Sequence, residues 1–192
     1  MDTIINLDKE LLLFLNGLGS SFWDSFWMFI TNQLNWTPVF LLIIYLTFKK
    51  FGWKKGGMLL ISMILLVVIS DQFVNFVKNS TMRLRPCNDP SINSLLRTVY
   101  IPGGYSFMSG HATTSTFFTT FVIYWFRKFD RRIFFLMLFP VLFGYSRLYL
   151  GVHFPTDVLT GYVTGMVLGC IYAQLIERLL NLLFPPTTAT IT

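Results

Sequence analysis

From about residue 36 to residue 184 the chain is a succession of apolar runs separated by short polar breaks. A helix needs roughly 20 mainly apolar residues to cross a hydrocarbon core, and five segments read that way. They cover about 36–50, ending at Lys49 and Lys50; about 56–78, "GGMLLISMILLVVISDQFVNFVK"; Ser109 to about Phe126; about 132–150; and Asp157 to about Phe184, where Pro185 and Pro186 stop the helix. The stretch 79–107 holds most of the Pro, Asn and Gly punctuation and reads as a loop. The final "TTATIT" reads as a frayed tail.

Residues 8–32 are ambiguous. The run "LLLFLNGLGSSFWDSFWMFI" is long enough to cross, but Gly17, Gly19, two adjacent serines and Asp24 interrupt it. Phe22, Phe26, Phe29 and Ile30 follow helical spacing, so two short amphipathic helices at the interface are expected, with a sixth span as the alternative. The prediction is an all-α, integral-membrane helix bundle of five transmembrane helices plus amino-terminal amphipathic helices, in one domain over 1–192. No internal repeat stands out.

Counting passes sorts the polar residues. The second segment ends at Lys78, the third begins at Ser109, and the fourth gives way to the fifth between Ser146 and Asp157. All three boundaries therefore face one side of the membrane, whether or not residues 8–32 cross.

Composition agrees: 54% of residues are hydrophobic and 12% charged, too apolar for a soluble domain. Twenty-one Phe and five Trp suit lipid contact and interfacial belts. A net charge of +6 would suggest nucleic acid in a soluble protein. Here the basic residues fall in short loops, so membrane orientation and a phosphate site are the better readings, with no nucleic-acid partner. Cys87 falls in a loop and Cys170 deep in the last helix, so neither a disulfide nor a metal pattern is expected. The start, "MDTIINLDKE", is acidic and lacks the basic region of a cleavable signal.

The boundary clusters carry the chemistry. The first, "KNSTMRLRP", supplies Lys78, Arg83, Arg85 and Pro86. It is either a charged membrane boundary or a phosphate clamp, in which arginine offers a planar fork and lysine a point charge. The second is Ser109, Gly110 and His111 at a helix start, where free N–H groups and the helix dipole favour an anion. The third, "SRLYLGVHFPTD", holds Ser146, Arg147, His153 and Asp157. The chain has two histidines, and both fall on this membrane face. Asp157 is placed to hold one ring nitrogen of His153 and leave the other free to attack.

Together the clusters resemble the type-2 phosphatidic acid phosphatase superfamily, whose pattern is Lys-x6-Arg-Pro, then Pro-Ser-Gly-His, then Ser-Arg-x5-His-x3-Asp. Lys78, Arg85 and Pro86, then Ser109, Gly110 and His111, then Ser146, Arg147, His153 and Asp157 match it in order, giving a motif core over 78–157. Met108 stands where the family usually has Pro, which suggests a freer loop and a tolerated Met108→Pro change. The resemblance implies catalytic His153, His111 and Asp157: His153 as the nucleophile that forms a phosphohistidine, Asp157 orienting it, and His111 protonating the leaving oxygen. It implies that Lys78, Arg85, Ser109, Gly110 and Arg147 bind the phosphoryl oxygens. It calls for no cofactor and no metal, and the sequence offers no carboxylate cluster to hold one.

Two stripes lie outside the motifs. Asp71, Asn75 and Lys78 share a helix face, so Asp71 and Asn75, with Ser146, are candidates to support the site from behind. Gly161, Gly165, Gly169 and Ala173 recur every four residues after Asp157. Packing within the chain, seating Asp157 against the fourth segment, is favoured over a dimer seam; no feature sets an oligomeric state.

The reading is a metal-independent membrane hydrolase of a lipid phosphate or diphosphate. Undecaprenyl diphosphate is favoured, and phosphatidylglycerol phosphate, phosphatidic acid and lipid A phosphates are alternatives. A lipid phosphotransferase would use the same residues; a non-catalytic lipid binder would not need the histidine–aspartate pair. A vanadium haloperoxidase shares the anion pocket but is soluble. The loops at 49–55, with Lys49, Lys50, Lys54 and Lys55, and at 127–132, with Arg127, Lys128, Arg131 and Arg132, are densely basic. They should stay in the cytoplasm of a bacterial inner membrane, which turns the motifs to the periplasm or exterior.

Overall fold

In the computed structural model the described residues are 2–185, so Pro186 and the "TTATIT" tail lie outside them. Six α-helices follow one another: α1 Asp2–Gly17, α2 Ser21–Thr31, α3 Thr37–Thr81, α4 Gly110–Phe126, α5 Leu138–Tyr149 and α6 Pro155–Leu183. A 3-10 stretch, Arg131–Met137, runs into α5. The helix α3 is broken at Gly52, whose φ of 72° and ψ of 178° suit a residue without a Cβ. Its two limbs, 37–51 and 53–81, account for the first two expected segments.

Side-chain contacts give the directions of the limbs. Phe40 packs on Phe118, and Phe51 on Trp125 and Phe126, so the first limb runs alongside α4 in the same sense. A Cβ on Gly110 would meet Val74, Ser70 shares a hydrogen bond with Thr114, and Tyr172 donates to the Ser62 carbonyl; the second limb therefore runs opposite to α4. Phe143 stacks on His111 while Phe139 packs on Phe40, which turns α5 antiparallel to α4. The end of the second limb, the start of α4, the end of α5 and the start of α6 thus meet at one end of the bundle. At the other end Phe51 packs on Phe129, Lys50 lies over the same ring and Lys55 over Phe184, bringing the basic loops together.

Helix α6 runs parallel to α4 at close range. A Cβ on Gly165 would stand 2.4 Å from the Thr113 carbonyl oxygen, and one on Gly169 2.6 Å from Thr120 Cβ. The small-residue stripe therefore packs within the chain, but against the third segment, α4, rather than the fourth. Small residues let backbones approach where apolar burial offers little drive in lipid. Most of α4 is buried, and Phe117, Phe121 and Trp125 join Leu59 and Leu66 of α3 in the main core. By length and composition, Gln33–Asn88, Arg131–Tyr149 and Pro155–Leu183 can cross a membrane.

The amino-terminal segment forms two helices, as expected, although α1 begins at Asp2 rather than near residue 8. Each shows lipid or solvent an apolar face, with Ile4, Leu7, Leu11 and Phe14 exposed on α1 and Phe22, Phe26 and Phe29 on α2. Their polar residues turn inward: Asn16 donates to the carbonyls of Tyr149 and Arg97, and Asp24 pairs with Arg97. Both helices therefore lie across the end of the bundle where the motifs converge.

Candidate active site

The loop between α5 and α6 sets the central pair. Gly151 turns it at φ 67°, Pro155 opens α6, and the Asp157 carboxylate accepts the Phe154 N–H at 2.9 Å across the first turn. That brings Asp157 Oδ2 to 3.4 Å from His153 Nδ1. The contact is long for a hydrogen bond, as resting catalytic contacts often are. The opposite ring nitrogen, Nε2, lies 3.1 Å from Arg85 Nη1. A guanidinium only donates, so Nε2 accepts and the ring proton sits on Nδ1, facing Asp157. Burial, then the charges of Arg147, Arg85 and Lys78, push the His153 pKa well below its ordinary value. At neutral pH His153 is therefore uncharged, with its lone pair on the nitrogen away from Asp157.

Arg85 is held on several sides. Its Nε donates to the carbonyls of Gly103 and Gly104 at 3.1 and 3.2 Å, and Nη1 also donates to the Val152 carbonyl at 3.2 Å. Arg147 is buried, donates from Nη1 to Thr31 Oγ1 at 2.6 Å, and keeps a buried Nε without a partner among the described residues. Lys78 makes no hydrogen bond to another described residue. Three cations with free donors thus border His153, which suits an anion with several oxygens. His111 stacks on Phe143 with ring centroids 4.4 Å apart. Its Nε2 lies 3.3 Å from the Thr31 carbonyl, which can only accept, so the proton sits on Nε2.

These groups form the polar end of a cavity of about 710 Å³. Lys78, Arg85, Gly110, His111, Arg147 and His153 line that end, and Phe40, Ile43, Met63, Val67 and Phe118 line the remainder between the limbs of α3 and α4. A charged head therefore continues into an apolar trough. Among the described residues no three of His, Cys, Asp or Glu are grouped as metal ligands.

Four sequence candidates sit differently from expectation. The Ser109 hydroxyl accepts the Ala112 N–H at 3.5 Å, so it caps α4 and is fully buried rather than facing the cavity. Ser146 Oγ donates to the Phe143 carbonyl of its own helix at 2.6 Å. Asp71 and Asn75 line the cavity, but they bond each other at 3.1 Å rather than Lys78. Met108 is 2% exposed, a packed residue rather than part of a freer loop. Sequence reasoning missed Thr31 and Asp8, and it named Arg83 without its carboxylate partners. Thr31, at the end of α2, touches both His111 and Arg147. Arg83 binds Asp157, and Asp8 of α1 binds Arg83. The available signal was the four-residue spacing of Asp8, Leu12 and Asn16, which puts two polar side chains on one face of α1.

Comparison with known proteins places this geometry. The PAP2 superfamily model matches residues 52–180. The chain is 34% identical to the lipid A 4'-phosphatase of Bacteroides thetaiotaomicron, over 93% of this chain and 81% of that protein. It is 30% identical to the lipid A 4'-phosphatase of Porphyromonas gingivalis, over 88% and 72%. The fold matches the crystal structure of a transmembrane PAP2-type phosphatidylglycerolphosphate phosphatase from Bacillus subtilis, with a TM-score of 0.73 at 21% identity, covering 93% of this chain and 88% of that one.

Proposed function

The chain belongs to the PAP2 superfamily as a multi-pass membrane protein, and from that premise we propose that it hydrolyses a lipid phosphate through a phosphohistidine on His153, without a metal. The observation that carries the reading is the neutral His153, its Nδ1 proton towards Asp157 and its Nε2 turned to Arg85. In the first step Nε2 attacks phosphorus, the bond from phosphorus to the lipid oxygen breaks, and protonated His111 gives that oxygen its proton. Arg85 passes from Nε2 to a phosphoryl oxygen as the N–P bond forms, alongside Lys78, Arg147 and the Gly110 N–H. In the second step water attacks phosphorus, His111 takes its proton, and the N–P bond breaks to release phosphate. The protein supplies mainly position and charge, the terms that dominate phosphoryl transfer.

The apolar trough suits the tail of a lipid whose phosphate sits at the cationic end. Likeness to two lipid A 4'-phosphatases along most of both chains favours a glycolipid phosphate of the lipid A type over the undecaprenyl diphosphate favoured from the sequence. The test is phosphate release by purified protein, in EDTA, from lipid A, undecaprenyl diphosphate, phosphatidylglycerol phosphate and phosphatidic acid. Fastest release from lipid A is expected. Fastest release from undecaprenyl diphosphate would reverse the substrate order, and phosphate found on a second lipid rather than free would make the protein a transferase. Acid-labile label should be trapped on the wild type and be absent from His153→Ala; label on that variant would remove the assigned nucleophile.

A further inference from the structure

Asp157 is fully buried, yet one oxygen, Oδ2, faces His153. The other, Oδ1, accepts from Arg83 Nη1 at 2.7 Å. The same guanidinium donates from Nη2 to Asp8 Oδ2 at 2.7 Å and lies 3.9 Å from the Phe154 ring centroid. Asp8 is 5% exposed and otherwise holds the start of α6, accepting the Thr156 N–H at 2.9 Å and the Thr156 hydroxyl at 2.5 Å. One arginine thus joins a carboxylate of α1 to the carboxylate that faces the nucleophile. Arg83 lies outside the motif pattern, and Asp8 lies 70 residues before its first lysine, Lys78.

We propose that Arg83 and Asp8 are positioning residues for this reaction, which makes α1 a working part of the active site. The inference rests on the phosphohistidine reading. Arg83 pins Oδ1, so Oδ2, which also accepts the Phe154 N–H, is the oxygen left to face His153. Arg83 alone would cancel the negative charge of Asp157, and Asp8 restores it. Asp8, Arg83, Asp157 and neutral His153 together carry one negative charge. A bond from Nε2 to phosphorus, with the proton kept on Nδ1, puts one positive charge on the ring, and the group becomes neutral. The other charged neighbours of His153 are the cations Arg85, Arg147 and Lys78, which can only oppose that positive charge. Without Asp8, the phosphorylated ring would lack its counter-charge.

The test is steady-state kinetics of purified Asp8→Asn on the best lipid phosphate from the panel, with thermal melting to follow folding. The expected result is a kcat at least 10-fold lower, a KM within 2-fold of wild type, and no further loss when Asp8→Asn is added to Asp157→Asn. Arg83→Lys, which keeps the charge but lacks the planar fork whose Nη1 and Nη2 reach the two carboxylates, should show the same kcat loss if Asp8→Asn fails to fold. Wild-type kcat in Asp8→Asn or Arg83→Lys would overturn the proposal. So would losses that multiply with Asp157→Asn, or a rise in KM with kcat unchanged. A wild type that forms no phosphoenzyme would overturn the phosphohistidine reading and this proposal with it. An active wild type with an equally active Asp8→Asn would overturn this proposal alone.

Discussion

Arg85 Nη1 donates to His153 Nε2 at 3.1 Å, so the arginine occupies the lone pair that the proposed mechanism directs at phosphorus. The arrangement keeps Nε2 unprotonated, and in the proposed reaction it marks where the phosphoryl group would sit. On the proposed mechanism the guanidinium would slide from nitrogen to a phosphoryl oxygen while Gly103 and Gly104 hold its Nε and Val152 accepts from Nη1, with Nη2 free for a second oxygen.

Replacement of Arg85 should therefore be severe even when charge is kept. A lysine cannot bond three carbonyls and a phosphoryl oxygen together. Arg85→Lys is expected to lower kcat by about 10²–10³-fold, the usual cost of losing one preorganised oxyanion donor. Steady-state kinetics on the best lipid phosphate would check this, and a loss confined to KM would make Arg85 a binding group only.

His111 tests the leaving-group step. Its ring is fixed by Phe143 and the Thr31 carbonyl. His111→Ala should cost about 10²–10⁴-fold on a lipid phosphate, whose oxygen needs a proton to leave. An activated aryl phosphate needs none, so the variant should retain far more of its rate on that substrate. Equal losses on both substrates would remove the general-acid role.

The convergence of His111, His153, Arg85 and Arg147 was legible in the sequence because it follows from counting apolar segments, and helix direction alone brings their ends together. Thr31, Asp8 and Arg83 were not legible in the same way. The first two come from short helices whose docking depends on a few long-range hydrogen bonds, which no periodicity encodes. Arg83 lies two residues from Arg85, yet loop geometry sends one guanidinium to Asp157 and the other to His153. Ser109 was legible from the motif, but its task of accepting the orphan N–H of Ala112 at the start of α4 was not. The glycine stripe was visible as spacing, but its partner, α4, depended on the parallel packing of two helices distant in sequence.

The depressed pKa of His153 makes a signed prediction about stability. In the unfolded chain an imidazole protonates near pH 6.5. In the folded protein, burial and the cations Arg147, Arg85 and Lys78 delay that protonation to a lower pH. Below about pH 6.5 the unfolded state therefore binds the additional proton, and stability must fall as pH falls. The wild type should lose more thermal stability between pH 7 and pH 5 than His153→Gln, and the acid limb of its kcat/KM profile should lie below the ordinary histidine value. Equal losses in both proteins would show that His153 is not held neutral.

The final prediction concerns the face of the membrane on which the site opens. Lys49, Lys50, Lys54 and Lys55 lie around the break in α3, and Arg127, Lys128, Arg131 and Arg132 follow α4. The stacking of Phe51 on Phe129 and of Lys50 over the same ring brings these two loops together at the end opposite His153. Short loops dense in lysine and arginine stay in the cytoplasm. The motif end is basic too, but its cations have other tasks. Arg83 pairs with Asp8 and Asp157, Arg97 pairs with Asp24, and Arg85 and Arg147 are buried in the site. Little free charge is left there to oppose the dense loops, so the site should face outward, where a lipid in the outer leaflet of a bacterial inner membrane can reach it. Ser94 is exposed in the loop before α4, on the motif face. A cysteine placed there, in a protein lacking Cys87 and Cys170, should react with an impermeant thiol reagent in cells whose outer membrane alone is permeabilised. Labelling that waits for rupture of the inner membrane would invert the topology and place the substrate in the cytoplasmic leaflet.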